Sequence, residues 1–331
     1  MKFVLRVVGV VVLAGVLILG LLTALSWAPD RSVAQLRERW APPPSVFVDV
    51  DGMQVHLRDE GPRDDPEPIV LLHGTSSSLH TWQGWADALK GRHRVIRFDL
   101  PGFGLTGPSP THDYHIAAYE KFVIAMLDRL GVRRCVLGGN SLGGEIAWET
   151  AVAYPQRVSR LILVDAGGYP MDSASMPIGF RIAQLSWTKP LMEVTLPRRM
   201  VEASVRDVYG DPSKVTPALV DRYYELTLRQ GNREALVERF QQSHPGHDAA
   251  LIRNITQPTL ILWGRKDHLI PLDSARRFAH DIAHNHLVVF DGLGHVPQEE
   301  DPVDTVNAVE QFLGDTANAV AQPASGAASA S

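Results

Sequence analysis

The chain has 331 residues, a formal net charge of −5 and 45% hydrophobic residues. That length holds one α/β domain of ordinary size plus an insertion, and the acidic balance supplies no basic field for nucleic acid. A single cysteine, Cys135 in an apolar run, excludes an internal disulfide and reads as inert core.

Residues 7–25 are apolar or small apart from Thr23, with Lys2 and Arg6 before them. A run of that length crosses a bilayer's hydrocarbon core as a helix and is long for a cleavable signal. Residues 1–40 are therefore read as an uncleaved single-pass membrane anchor with a juxtamembrane segment. Trp27, Trp40, Arg31, Arg37 and Arg39 suit the membrane interface. The alternative is a signal peptide cut near Ala24-Leu25-Ser26, giving a secreted or periplasmic protein. Basic residues flank both ends, and the expectation is a main domain on the extracytoplasmic side.

Ala41-Pro42-Pro43-Pro44 reads as a stiff linker, and Asp51-Gly52 between two strand-like runs reads as a hairpin turn. Apolar strand patterns then alternate with helical ones, which predicts a mainly parallel sheet covered by helices on both faces. Residues 116–130 place Ile116, Tyr119, Val123, Met126, Leu127 and Leu130 on one stripe, with Gly131 as a stop and Asp113 as N-cap. This core spans residues 45–166 and 257–313. Between them, residues 167–256 lose the strand pattern and read as a helical cap over the site, with Trp187 and Met192 as candidates for lining a substrate cleft. Residues 314–331, rich in Ala, Ser and Gly, read as a disordered tail.

Two other patterns carry little. Residues 102–107 fit G-x-G-x-x-G, but Pro108 and Pro110 follow where a dinucleotide site needs a helix, so they read as a loop. His280, Asp281, His284 and His286 offer a histidine pair and an acid without a further ligand and read as a solvated helix end. Neither a metal nor any other cofactor is expected.

The chemistry lies in Gly139-Asn140-Ser141-Leu142-Gly143, which follows the apolar run Cys135-Val136-Leu137 and precedes a helical pattern. This is a nucleophile elbow, a turn so sharp that glycine must flank the serine. A serine hydroxyl is a weak nucleophile and needs a base, and the base needs a group to orient it. His295, in the loop Asp291-Gly292-Leu293-Gly294-His295, is the candidate base. Asp267, just past the apolar run 259–263, is the candidate acid, with Asp165 after the preceding strand as its rival. Developing negative charge on a carbonyl oxygen needs preorganised donors. The backbone N–H groups of Leu142 and of Thr75, which follows His73-Gly74, are the candidates, and His73 itself reads as structural.

Together with Asp99-Leu100-Pro101-Gly102-Phe103-Gly104 and Gly264-Arg265-Lys266-Asp267, these motifs resemble the α/β-hydrolase superfamily over about residues 45–313. Within it the chain is most similar to membrane-anchored carboxylesterases and monoacylglycerol-lipase-type serine hydrolases. The resemblance implies an α/β-hydrolase fold with a helical cap insertion. It also implies hydrolysis of small or medium, lipophilic carboxylic esters through a Ser141–His295–Asp267 triad and an acyl-enzyme. The Gly-Asn-Ser-x-Gly-Gly variant also resembles the C–C bond hydrolases of aromatic catabolism. Those usually place tryptophan after the catalytic histidine, where this chain has Val296-Pro297. A non-catalytic ligand-binding protein on the same fold is the remaining alternative.

Overall fold

The computed structural model describes residues 2–170 and 194–321, with backbone alone at several positions of the first helix and beyond Gly314. Strands β1 (Val46–Val50) and β2 (Met53–Glu60) form the expected hairpin. Val50 pairs with Met53, and Asp51 and Gly52 take φ of 51° and 80° in the turn. The sheet continues with β3 (Ile69–Leu72), β4 (Val95–Phe98), β5 (Cys135–Asn140), β6 (Val158–Val164), β7 (Thr259–Gly264) and β8 (Asn285–Phe290). Its order is β1-β2-β4-β3-β5-β6-β7-β8. β2 is antiparallel to both its neighbours, and every pair from β4 to β8 is parallel.

The central strands are apolar almost without a break because both faces are covered. Side chains alternate between the faces with a period of two. Val70, Leu72, Leu137, Leu161, Leu163 and Ile261 join one cluster with helices α4 (Ile116–Arg129) and α5 (Leu142–Ala153). Their neighbours Ile69, Leu71, Val136, Ile162, Leu260 and Leu262 join another with α3 (Gln83–Leu89) and the last helix. The α4 stripe is as expected, but its N-cap is His115, not Asp113. The Asp113 carboxylate instead accepts the His115 N–H at 3.1 Å, an Asx turn one step ahead of the helix.

Between β6 and β7 lie the cap helices α6 (Arg198–Asp207), α7 (Pro217–Thr227) and α8 (Asn232–Gln242). Trp187 and Met192 fall outside the described residues. Helices α9 (Leu272–Asp281), α10 (Pro297–Glu300) and α11 (Pro302–Ala321) complete the chain. The expected tail therefore does not begin at Gly314. Residues 315–321 contain no breaker, and one glycine costs a helix only about 1 kcal/mol.

The N-terminal segment also differs from a free tether. Helix α1 (Lys2–Leu25) exposes Phe3, Val4, Val10, Leu13, Leu17 and Leu21. Among the described residues, no helix is long and apolar enough to cross a membrane. The chain beyond α1 is tied to the cap. Ala28 N–H donates to Val194 O at 2.9 Å, and Arg31 N–H donates to Leu228 O at 2.7 Å. Helix α2 (Val33–Trp40) buries Leu36 against Leu105 and Leu226, and Trp40 Nε1 donates to Glu225 Oε2 at 2.7 Å.

Candidate active site

Ser141 sits between β5 and α5 with φ 56° and ψ −117°, a strained conformation held by its surroundings. Its N–H donates to Val164 O at 3.1 Å, and its carbonyl accepts from Gly167 N–H at 3.0 Å, so both sides of the turn are stitched to the end of β6. The flanking glycines are required by space. A Cβ on Gly139 would lie 2.1 Å from Gly143 O, and one on Gly143 would lie 2.2 Å from Leu72 O.

His295 comes from the loop after β8. Its Nδ1 lies 2.7 Å from Oδ2 of Asp267. An ionised carboxylate can only accept, so opposite a carboxylate Nδ1 is the nitrogen that carries the proton and Nε2 is left free to accept one. Oδ1 of Asp267 accepts the N–H groups of Leu269 and Ile270 at 2.8 and 2.9 Å, which fixes the carboxylate. Both residues are buried, at 4% and 5% exposure. The rival acid, Asp165, accepts Gly264 N–H at 3.0 Å through Oδ1. Ser141 and His295 face one cavity of about 520 Å³, which Thr75 and Leu142 also line. Neither of those two amides donates to a backbone carbonyl of the described residues.

His73 lies behind this wall. Its Nε2 accepts Leu100 N–H at 2.9 Å, and its Nδ1 faces Gly74 O at 2.8 Å. Burial lowers its pKa and keeps it neutral, which suits one donated and one accepted bond. The Asp99 carboxylate takes the N–H groups of Leu79 and Leu105 and the His56 ring, so residues 102–107 are a loop anchored on a buried acid. Gly102 N–H closes that loop on Gly107 O at 2.6 Å. His280 is exposed and faces its own neighbour, Asp281.

Four residues of the site, Asn140, Glu300, Val208 and Arg239, were given no role from the sequence. Asn140 Nδ2 donates to Val164 O at 3.1 Å and to His295 O at 2.9 Å, tying the elbow to the histidine loop. The Glu300 carboxylate accepts from Gly294, Gly210 and Asp211, which clamps that loop to the cap. His295 N–H donates to Val208 O at 2.7 Å, so the cap also positions the histidine directly. The fourth is Arg239, which lines the cavity at 6% exposure. It makes no hydrogen bond among the described residues, its buried Nε is unpartnered, and Glu145 Oε2 is 3.9 Å from its Nη2. Burial raises the Glu145 pKa, and the charge of Arg239 opposes that rise. Arg222, by contrast, is engaged by Glu299 at 2.5 Å. The remaining walls are largely apolar, with Met200, Val201, Val205, Leu236, Phe240 and Ile270 among them.

Residues 67–302 match the family described as alpha/beta hydrolase fold. A 2-hydroxy-6-oxononadienedioate/2-hydroxy-6-oxononatrienedioate hydrolase of a Pseudomonas species is 31% identical over 269 residues, 77% of this chain and 92% of its own. A solved meta-cleavage product hydrolase of Pseudomonas fluorescens superposes with TM-score 0.69 at 26% identity, covering 82% of this chain and 97% of that one. A bacterial membrane phospholipase A shares the fold at TM-score 0.72 and 24% identity, covering 96% of this chain and all of that one. The sheet order, the elbow and these similarities agree, and the chain belongs to the α/β-hydrolase family.

Proposed function

We propose that the protein cleaves a carbon–carbon bond beside a ketone in a small unsaturated carboxylic acid, using Ser141 as nucleophile. The observation that carries this reading is the 31% identity across 92% of a relative whose substrate is a hydroxy-oxo-dienedioate. The cavity adds a physical reason. A buried guanidinium whose Nε has no partner and whose carboxylate neighbour Glu145 stands 3.9 Å away is costly, and Arg239 can turn its donors to a substrate carboxylate.

In this reading His295 Nε2 takes the Ser141 proton as Oγ attacks the ketone carbon. The N–H groups of Thr75 and Leu142 hold the resulting oxyanion. Collapse breaks the C–C bond, and the electron pair enters the conjugated acid, which is why the leaving fragment must be an enone or its tautomer. His295 returns the proton to that carbon, then activates the water that frees the acyl group from Ser141. The same residues serve an ester, whose alkoxide leaves instead. One observation favours that second reading: Val296 follows His295 and, with the other apolar walls, suits a lipophilic acyl chain. Attachment to a membrane through residues 7–25, with the catalytic domain extracytoplasmic, belongs to the same proposal and is supported by the 24-residue helix and its outward apolar row.

The test is a substrate panel on the full chain in detergent, with Ser141→Ala as blank. Loss of the chromophore of a 2-hydroxy-6-oxo-dienoate, with kcat/KM at least about tenfold above that of p-nitrophenyl esters, is expected. Turnover of esters alone would transfer the assignment to ester hydrolysis.

A further inference from the structure

We infer that Asp165 is a positioning residue of the triad: a carboxylic acid that keeps its proton, donates it as a hydrogen bond to Asp267, and takes over the orientation of His295 when Asp267 is lost. The inference rests on the triad reading above and adds a residue to it.

Asp165 ends β6 at zero exposure, with φ of 43°. Its Oδ1 is satisfied by Gly264 N–H at 3.0 Å, yet its buried Oδ2 has no hydrogen-bond donor. The Asp165 carboxyl is close to the polar side chains of Asp267 and His295. One side-chain atom each of Asp165, Asp267 and His295 lie within 4.8 Å of one another. Asp267 already accepts from Leu269, Ile270 and His295. Two bare carboxylates so close in a buried site repel strongly, and one shared proton removes the conflict. Placed on Asp165 Oδ2, it turns an acceptor without a donor into a donor for the neighbouring Asp267 carboxylate. Burial and the charge of Asp267 both push the Asp165 carboxyl well above the usual carboxylate range. Glu300 acts in the same direction, and the Gly264 N–H opposes it. The groups that act on Asp165 are thus Asp267, Glu300 and, when protonated, His295. The proton stays in place through turnover, so the reaction's proton balance is unchanged. What Asp165 sets is the aim and the basicity of Asp267, and through it the basicity of His295.

The test is the pH profile of kcat/KM with p-nitrophenyl acetate for the parent, Asp165→Asn and Asp165→Leu, with circular dichroism as the fold check. Leucine removes the donor, so the rate falls about tenfold and the acid limb moves to higher pH, because Asp267 then presses more charge on His295. The amide keeps a donor and no charge, so it recovers most of that rate and leaves the acid limb in place. A downward shift of about half a pH unit or more in Asp165→Asn would mean that the parent residue is ionised, and would overturn the inference. A leucine variant indistinguishable from the parent would overturn the positioning role. Should the leucine variant not fold, infrared spectroscopy decides: the parent shows a protonated-carboxyl C=O band at neutral pH that Asp165→Asn lacks. Absence of that band in the parent overturns the inference independently of any activity. For the reserve role, Asp267→Asn keeps about tenfold more activity than the Asp165→Asn/Asp267→Asn double variant, and equal rates would contradict it. Activity surviving in Ser141→Ala would sink the triad reading while leaving the infrared result untouched, so the two failures are separable.

Discussion

In the sheet, neighbouring residues of the central strands reach two separate apolar clusters, so no single side chain carries the assembly. The cap meets its surroundings through smaller apolar clusters, such as Val205, Tyr209 and Val296, together with individual polar residues. Glu300 joins the histidine loop to residues 210 and 211, Glu299 engages Arg222, and Glu225 receives Trp40 and Arg39. The elbow belongs to the first kind of structure and the histidine loop to the second. The proposed nucleophile, Ser141, is therefore built into a rigid strand–helix turn, while the proposed base, His295, depends on a few long-range hydrogen bonds that a substitution can break one at a time.

The largest effect separates chemistry from architecture. Ser141→Ala should cost at least about four decades of kcat with an unchanged melting temperature, since it removes one hydroxyl from a turn held by backbone bonds. Activity within a few decades of background in an assay of either substrate class checks it. Next, Glu300→Ala should damage both properties. It leaves the N–H groups of Gly294, Gly210 and Asp211 without their acceptor, for about 3 kcal/mol of stability, and lets His295 drift, slowing kcat by about 10². Chemical denaturation and steady-state kinetics on one preparation measure the pair. Leu36→Ala should lower stability by about 2–4 kcal/mol while kcat stays near the parent value, because Leu36 packs on Leu105 and Leu226 away from the cavity. A loss of kcat of similar size would show that the N-terminal segment and the site are coupled.

The smallest effect is a pH dependence. Burial and the charges of Glu145, Asp248 and Glu120 raise the Glu149 pKa from 4.5 to about 9. A raised acid costs the folded state nothing below 4.5, and the cost grows as pH rises toward about 9. Glu149→Gln should therefore gain about 1–2 kcal/mol near neutral pH, more at higher pH, and nothing in acid. Melting curves across that range check the sign, and a gain confined to acid would reverse it.

The elements built from local pattern were legible. The apolar runs marked the strands, Asp51-Gly52 marked the hairpin, and Gly139-Asn140-Ser141-Leu142-Gly143 marked the elbow, because each depends on neighbours in the chain. Contacts between distant residues were not. Asn140 stood inside the motif, yet its bond to His295 O spans 155 residues. Glu300 looked like any surface acid, Leu36 and Trp40 looked like parts of a tether, and Arg239 was one arginine among many. Asp165 was visible as a candidate acid. That it would adjoin Asp267 follows only from the pairing of β6 with β7, which sets the ends of those strands side by side.

The most direct measurement of the central claim is labelling of the full chain with a fluorophosphonate, followed by mapping of the adduct by peptide mass spectrometry. One adduct, on Ser141, slowed in Asp267→Asn and absent from Ser141→Ala, is the result predicted here. Labelling at another residue, or none in a folded protein, would contradict it.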